Sequence, residues 1–261
     1  YRAAVLTAVI WGLVQGMTEF LPISSSGHLV IVPEFLQRMG MTIETPSLGT
    51  SAVLHLGTLI AVLVYFRSDV MKVLRMTREP EGRKLALLVA IGTVPALIGL
   101  PLKNSLETIQ EDATKVGIAL IGTALILIVG QWLARGSRNL LEGRVPDAVV
   151  VGLAQAVALI PGVSRSGSTI SAGNGRRFEP TEAARFSFLL GIPAIAGAGL
   201  ISLPALLEDG SFGVELMVGL VAAAVSGYAA IAVLLAALRR VGLVPFAIYC
   251  LLVGSLTIVF L

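Results

Sequence analysis

Long apolar stretches, separated by short charged or proline-containing breaks, run through the whole chain and predict membrane helices. A membrane span needs about 20 mostly apolar residues. Two stretches, 3–37 and 147–173, are interrupted in the middle by proline, glycine and serine. The stretches that predict full spans lie at about 49–66, 84–102, 114–134, 182–204, 214–238 and 244–261. The pattern therefore predicts an all-α integral membrane protein with six spans.

The two interrupted stretches predict re-entrant helical hairpins. In 3–37 a helix is expected to stop at Pro22, because proline removes a backbone donor and clashes with the preceding turn. The segment after the following Ser-Ser-Ser-Gly turn is too short to cross a bilayer. The stretch 147–173 is broken similarly at Pro161-Gly162. Irregular backbone at membrane depth survives only where it is buried in protein or lines a wet cavity, so both breaks should lie at a polar site.

The two breaks are copies of each other. GLVQGMTEFLPISSSGHLV at 12–30 recurs as GLAQAVALIPGVSRSGSTI at 152–170, with a constant offset of 140 positions. One hairpin and three spans make each repeat, 1–134 and 147–261, within a single membrane domain. Because three is odd, the second repeat must insert upside down relative to the first. We therefore expect two inverted-topology repeats whose hairpin tips approach from opposite faces.

Composition and charge agree with this architecture. The 261 residues are 56% hydrophobic and only 13% charged, against roughly 25% charged in soluble domains. A net charge of +3 is too small to indicate nucleic-acid binding. Most of the Lys and Arg residues lie on the face reached by loops near 67–84, 135–147, 174–185 and 239–240. The positive-inside rule places this face in the cytoplasm and both termini outside.

The first copy carries polar groups where lipid would be costly. Glu19 lies in an apolar stretch and should face a polar cavity. Gln15, four residues earlier on the same helix face, could share a metal ion or a water network with it; alternatively, Glu19 only holds the hairpin together. His28 is a candidate acid, base or nucleophile, with a structural role as the alternative. His55 is expected to be a satisfied polar group within a span.

The second copy carries Arg165 where the first has Ser25. A buried guanidinium needs an anion, and its planar fork suits phosphate. The free N–H groups at the start of a half-helix favour anions as well. The alternative is an ion pair between Arg165 and Glu19 that gives way when phosphate binds. For the hydroxyls among the remaining candidates, helix capping is the alternative to phosphate binding. These candidates surround the two turns: Ser24, Ser26, Gly27, Ser164, Ser166, Gly167 and Thr169.

The segments GLVQGMTEFLPISSSGHL and PGVSRSGST closely resemble the two hallmark motifs of the bacterial undecaprenyl-diphosphate phosphatase family. These are integral membrane enzymes that recycle the lipid carrier of cell-wall synthesis. The resemblance extends over essentially the whole chain. It implies hydrolysis of undecaprenyl diphosphate with a divalent cation such as Mg²⁺ or Ca²⁺. It also implies a bacterial cytoplasmic membrane protein whose site faces the outer side.

The resemblance also implies roles for individual residues. The metal positions of the family fall on Gln15 and Glu19, its hydroxyl on Ser25 and its histidine on His28. Its phosphate-binding arginine, serine and threonine fall on Arg165, Ser164 and Thr169. Glutamine is permitted at the first metal position, although many members have glutamate there. A site with one carboxylate, completed by phosphate oxygens and water, is therefore expected. The attacking group stays open between Ser25, His28 and a water with His28 as base.

A second class of function stays open. Many secondary transporters are built from inverted repeats with broken helices that meet at the midplane. The alternative is therefore a transporter or flippase of a phosphorylated lipid or an anion. Glu19, His28 and Arg165 together favour hydrolysis, because a carrier of anions has little use for an acid and a base beside its cation. The expected partners are a polyprenyl diphosphate and membrane lipids, and homodimer formation is left open.

Overall fold

A computed structural model of the chain describes residues 2–40, 45–102, 106, 108–110, 112–209 and 213–261. These residues form eleven α-helices and two short 3-10 turns, Leu100–Leu102 and Leu140–Glu142. The α-helices are α1 (Arg2–Phe20), α2 (Ser25–Arg38), α3 (Leu48–Tyr65), α4 (Arg67–Leu74), α5 (Pro80–Gly99), α6 (Ala113–Leu133), α7 (Val145–Val157), α8 (Arg165–Gly175), α9 (Pro180–Asp209), α10 (Val214–Arg240) and α11 (Val244–Phe260). The all-helical prediction is therefore confirmed.

Several of these helices suit a membrane. Within the described ranges, α5, α6, α9 and α10 are long and apolar enough to cross one. The pair α3 and α4 passes the same test together, although the chain bends by 83° between them. Helices α1, α7 and α11 contain shorter apolar segments. The chain is thus a multi-pass membrane protein.

The connections between the spans hold one element that the sequence pattern did not predict. In the charged connection 67–83, residues 67–74 form α4, which begins directly after the sharp bend at Phe66. The connection 103–113 lies partly outside the described residues, and Lys103 lies wholly outside them. Arg185 in α9 reaches α4 and pairs with Asp69, at 2.6 Å between Nη2 and Oδ1. The charged helix is therefore tied to the bundle.

Both predicted breaks interrupt a pair of helices. α1 ends at Phe20 and α2 begins at Ser25, whereas α7 ends at Val157 and α8 begins at Arg165. Ser24 and Ser164 occupy the cap positions before α2 and α8. The hydroxyl of Ser24 accepts from the Gly27 N–H at 3.3 Å, and that of Ser164 accepts from the Gly167 N–H at 3.1 Å. Capping serines thus start the second helix of each pair in the same way.

Glycines at matching positions bring the first helix of each pair against a long helix. A Cβ added at Gly12 in α1 would lie 2.5 Å from the carbonyl oxygen of Gly219 in α10. A Cβ at Gly152 in α7 would clash with the carbonyl oxygen of Gly92 in α5. Small residues allow membrane helices to approach this closely. The repeated glycine therefore fixes α1 on α10 and α7 on α5.

One polar helix, α8, is also among the most enclosed. α8, with the sequence RSGSTISAGNG, packs against α6, α7 and α9. Its residues from Ser166 to Ser171 are all buried. A helix this polar would be unstable in lipid, and here apolar helices surround it. The polar segment therefore lies inside the protein, where it forms one wall of a cavity.

Candidate active site

The two breaks border one cavity of about 180 Å³. Side chains from both turns line it, together with His55 of α3 and small residues of α9. The polar lining residues are Thr18, Glu19, Ser24, Ser25, Ser26, His55, Ser164, Arg165 and Ser166. The chain thus brings together residues that are about 140 positions apart in the sequence. An acid, a guanidinium, an imidazole and several hydroxyls share a single space.

Glu19 is held by groups from both breaks. Its Oε1 accepts a hydrogen bond from Arg165 Nη2 at 2.9 Å. Its Oε2 accepts from Ser25 Oγ at 2.8 Å and from Gln15 Nε2 at 3.0 Å. The residue is only 8% exposed, so the guanidinium compensates a carboxylate that has lost most of its water. This is the ion pair that the sequence offered as an alternative to a free phosphate site.

Arg165 fits over a glycine in α9. A Cβ added at Gly191 would clash with Nη1 of the guanidinium. The same Nη1 makes a long hydrogen bond of 3.5 Å to the carbonyl oxygen of Ser187. The side chain is 16% exposed, which leaves part of its fork towards the cavity. Gly191 therefore makes the space in which the guanidinium reaches Glu19.

Serines at matching positions join the two turns. Ser26 Oγ accepts from the Gly162 N–H at 3.5 Å, and Ser166 Oγ donates to the carbonyl oxygen of Leu21 at 3.2 Å. Ser26 also lies 3.3 Å from the capping hydroxyl of Ser24. The second turn has the matching contact, in which Ser164 Oγ lies 3.2 Å from Ser166 Oγ. These hydroxyls hold the turns together, and their contact with phosphate stays a prediction.

Five of the predicted site residues do not line the cavity, and Thr169 is one of them. It is fully buried, and its hydroxyl donates to the carbonyl oxygen of Arg165 at 2.7 Å. The hydroxyl also lies 2.6 Å from Ser187 Oγ. Gly27 and Gly167 each use their N–H for a serine cap. These three residues therefore shape the turns that carry Ser25 and Arg165.

His28 is the fourth predicted residue that is turned away from the cavity. Its Nδ1 lies 2.8 Å from the carbonyl oxygen of Ser24, and its Nε2 lies 2.7 Å from the hydroxyl of Tyr249. Its ring also stacks on Tyr249, with centroids 5.6 Å apart. Because a carbonyl oxygen only accepts, Nδ1 carries the proton and Nε2 accepts from the tyrosine. His28 thus braces the first turn against α11, and its catalytic role stays a prediction.

His55 lines the cavity although the sequence predicted only a satisfied polar group. Its Nδ1 does have a partner, the carbonyl oxygen of Ser51 at 2.8 Å. The ring nevertheless shares a wall with Glu19 and Arg165. One sequence signal could have identified it, because an ionisable residue at membrane depth tends to face a polar space. The neighbouring residues in VLHLGTL are apolar and gave no further indication.

Thr123 in α6 is a supporting residue that the sequence did not reveal. Its hydroxyl accepts from the Ser164 N–H at 3.0 Å and donates to the carbonyl oxygen of Gly162 at 3.0 Å. It is fully buried. One hydroxyl thus ties two backbone groups of the second turn. This contact depends on how α6 packs against the second turn, so no local sequence motif predicts it.

The oxygen atoms near Glu19 suit a hard cation better than a soft metal. No cluster of three or more His, Cys, Asp or Glu side chains occurs among the residues that the structure describes. Gln15 Oε1 is buried without a hydrogen-bond partner there. Mg²⁺ and Ca²⁺ take carboxylate and amide oxygens. Glu19 and Gln15 therefore fit the expected cation, although Gln15 lies behind Glu19 and does not line the cavity itself.

Known proteins resemble this chain along nearly its whole length. Residues 8–256 match the model of a family described as bacitracin resistance protein BacA. A protein of Methanosphaera stadtmanae named undecaprenyl-diphosphatase is 37% identical, with 98% of this chain and 97% of the relative covered. Proteins of the same name from Myxococcus xanthus and a Synechococcus species are 41% and 43% identical. Those two alignments cover 99% and 94% of this chain, and 89% and 90% of the relatives.

Proposed function

This chain belongs to the bacitracin resistance protein BacA family, and from that membership we propose that it hydrolyses undecaprenyl diphosphate to undecaprenyl phosphate and inorganic phosphate. Relatives named undecaprenyl-diphosphatase support the substrate. The structural observation that carries the proposal is the Glu19–Arg165 pair on the wall of a hydroxyl-lined cavity. The same relatives disfavour a transporter as the alternative.

The proposed role of Arg165 is to bind the phosphate that is transferred. Phosphoryl transfer asks a protein mainly to position the reacting groups and to neutralise charge. A guanidinium binds two phosphate oxygens at once with its planar fork. In the structure one nitrogen of this fork, Nη2, donates to Glu19 Oε1 at 2.9 Å. Substrate binding would therefore exchange one anionic partner of Arg165 for another and release that carboxylate oxygen.

The proposed attacking group is the hydroxyl of Ser25 or a water in its place. Ser25 Oγ already donates to Glu19 Oε2 at 2.8 Å, which orients the oxygen and provides an acceptor for its proton. Attack on the terminal phosphorus breaks its bond to the bridging oxygen, and undecaprenyl phosphate leaves. If Ser25 attacks, water then hydrolyses the phosphoserine. Glu19 is favoured over His28 as the acceptor, because both ring nitrogens of His28 have partners.

A divalent cation, Mg²⁺ or Ca²⁺, is part of the proposal. Glu19 and the unpartnered Oε1 of Gln15 would hold it, with phosphate oxygens and water completing its shell. When bound, it would supply positive charge to the phosphate oxygens. Gln15 contributes in a second way, because its Nε2 donates to Glu19 at 3.0 Å and fixes the carboxylate.

The finer architecture is proposed along with the function. We infer two inverted repeats, each with a re-entrant hairpin and three spans, in the cytoplasmic membrane. Matching contacts at an offset of 140 positions support this, because the serine caps and the helix-crossing glycines recur in both copies. The charge distribution supports external termini and a site open to the outer side. Labelling of single cysteines, introduced at Ser137 and at Thr45 in a variant without Cys250, from either side of a sealed membrane tests the orientation.

The experiment that tests the function is phosphate release from undecaprenyl diphosphate by the purified chain in detergent. We expect release that stops on chelation and returns with Mg²⁺ or Ca²⁺. Glu19→Ala should abolish it, whereas Gly197→Ala should not, since a Cβ at Gly197 meets no atom within 4 Å. No release by a folded protein would reject hydrolysis. The transporter hypothesis would then be tested by measuring the movement of a labelled phosphorylated lipid between the two leaflets.

A further inference from the structure

His55 occupies a position on the cavity wall that neither the sequence motifs nor the proposed mechanism explains. It belongs to α3, outside both duplicated turns, and lines the same cavity as Glu19 and Arg165. Its Nδ1 lies 2.8 Å from the carbonyl oxygen of Ser51, one helical turn earlier. A carbonyl oxygen can only accept, so Nδ1 carries a proton. This contact fixes the ring and leaves Nε2, on its opposite edge, as the available nitrogen.

The two histidines of the chain differ in what their ring nitrogens can do. Both ring nitrogens of His28 have partners, Ser24 and Tyr249. His55 Nε2 has no hydrogen-bond partner among the described side chains and backbone groups, and its ring is only partly buried. A polar nitrogen with no partner on the wall of a polar cavity is suited to bind a ligand. Of the two, His55 is therefore the histidine placed to touch a substrate.

The charge in the cavity also leaves room for another phosphate contact. The charged groups on its wall are Arg165 and Glu19, which pair with each other at 2.9 Å. A diphosphate offers more oxygen atoms than the planar fork of one guanidinium can bind at once, with or without the proposed cation. Imidazole can donate to a phosphate oxygen when it is protonated, and accept from a P–OH group when it is neutral. Either form of His55 gives a hydrogen bond between Nε2 and a phosphate group.

We propose that His55 binds a phosphate group of the substrate through Nε2, from the side of the cavity formed by α3. The inference rests on the proposed function, because it assigns one more contact to the same substrate. Together with Arg165 on α8, the contact would hold the diphosphate between two elements that belong to different parts of the sequence. It requires no proton transfer by His55.

The test compares two substitutions of one residue. A hydrogen bond to a charged partner is worth enough that His55→Ala should lower kcat/KM for undecaprenyl diphosphate by about 10- to 100-fold. His55→Gln places an amide N–H in a similar position and should recover most of that loss. Ser51→Ala is the matched control on the same helix, since it keeps the carbonyl oxygen that fixes the ring. Its kcat/KM should stay within about twofold of wild type.

A second measurement separates a phosphate contact from a packing effect. Inorganic phosphate, used as a product inhibitor, should bind His55→Ala more weakly than wild type by a similar factor, with His55→Gln in between. Equal losses in His55→Gln and His55→Ala would overturn the phosphate contact, as would wild-type inhibition by phosphate in His55→Ala. If His55→Ala does not fold, the comparison of His55→Gln with His55→Leu replaces it, and equal activity of these two overturns the proposal.

Failure of this inference differs from failure of the proposed function. If the wild-type chain releases no phosphate from the lipid diphosphate, the function is rejected at once. If wild type is active and His55→Ala retains its full kcat/KM, only the role of His55 is rejected. An active wild type with a selective loss in His55→Ala supports both.

Discussion

The two serine-rich turns share their serine hydrogen bonds and differ in their chemistry. Both use a capping serine, at 24 and 164, and both use a second serine, at 26 and 166, to bond the backbone of the other turn. Between these serines the first turn has Ser25 and the second has Arg165. The duplicated contacts are those that hold the turns, and the unmatched side chains are those that carry charge or reactivity. The residues common to both copies thus hold the turns in place, and the residues that differ between the copies carry the reactive groups.

The glutamines before the two turns show the same division. Gln15 donates to Glu19 at 3.0 Å. Gln155 occupies the matching position, but Leu159 stands where Glu19 would be. Both polar atoms of the Gln155 side chain are buried without partners among the described residues. An unsatisfied buried amide is costly, and Gln155 makes no contact that corresponds to the hydrogen bond between Gln15 and Glu19.

The charged pair should give the largest effects. Arg165→Ala and Glu19→Ala should each lower kcat by at least about 1000-fold, since an arginine that stabilises a transferring phosphoryl group is worth that much. Arg165→Lys should recover little, because an ammonium lacks the planar fork. Phosphate release from the lipid diphosphate measures both effects. Near-normal turnover in Arg165→Ala would remove the arginine from the mechanism.

The same pair predicts a separate result for stability. Removing one member leaves an uncompensated buried charge, which costs about 3–5 kcal/mol. We therefore expect either single alanine variant to unfold at lower temperature than the double variant, although all three are inactive. Thermal unfolding in detergent measures the order. A double variant that is less stable than both single variants would show that the pair is not electrostatically coupled.

The space beside the guanidinium should matter next. Gly191→Ala places a methyl group where Arg165 lies, and a displacement of about 1 Å at a catalytic group can cost roughly 100-fold in rate. Gly197→Ala, on the same helix with nothing near its added Cβ, is the control and should keep wild-type activity. Steady-state kinetics of the two variants tests this difference. Equal activity would mean that the arginine tolerates displacement.

The smallest predicted effect compares the two glutamines. Gln15→Leu removes both the hydrogen bond to Glu19 and the proposed amide ligand of the cation, and should lower kcat/KM by roughly 10-fold. Gln155→Leu removes two unsatisfied polar atoms and should leave kcat/KM unchanged, with a stability equal to or up to about 1 kcal/mol above wild type. Activity and thermal unfolding of both variants give the answer. Equal losses of activity would show that the copies do not divide their roles in this way.

Local sequence rules located most of the backbone features. Pro22 and Pro161-Gly162 marked the ends of α1 and α7 to within a few residues, because proline and glycine act on the nearest turn. The repeat then pointed to Glu19 and Arg165 as groups from two copies that meet. That pairing could be expected because matching segments commonly build a shared site. The helix α4 was missed, since its charged residues resemble those of an ordinary connection.

Side-chain directions could not be read in the same way. His28 turns towards Tyr249, which lies 221 positions later in the chain, so its direction depends on how α11 packs. His55 lines the cavity because α3 lies beside both turns, and no motif around it records that neighbour. Thr169 bonds Ser187 of α9 for the same reason. Each difference comes from a contact between helices that are distant in sequence.

The unmatched charges of Glu19 and Arg165 give the cavity a polarity that the reciprocal serine contacts alone would not. Ser26 and Ser166 make matching contacts between the turns. If the turns were otherwise identical, the site would be symmetric and could bind a linear diphosphate in either direction. Glu19 and Arg165 occur once each, one beside each turn, so the two sides of the cavity are not equivalent. We therefore expect a linear diphosphate to bind in one direction, with its terminal phosphate at Arg165.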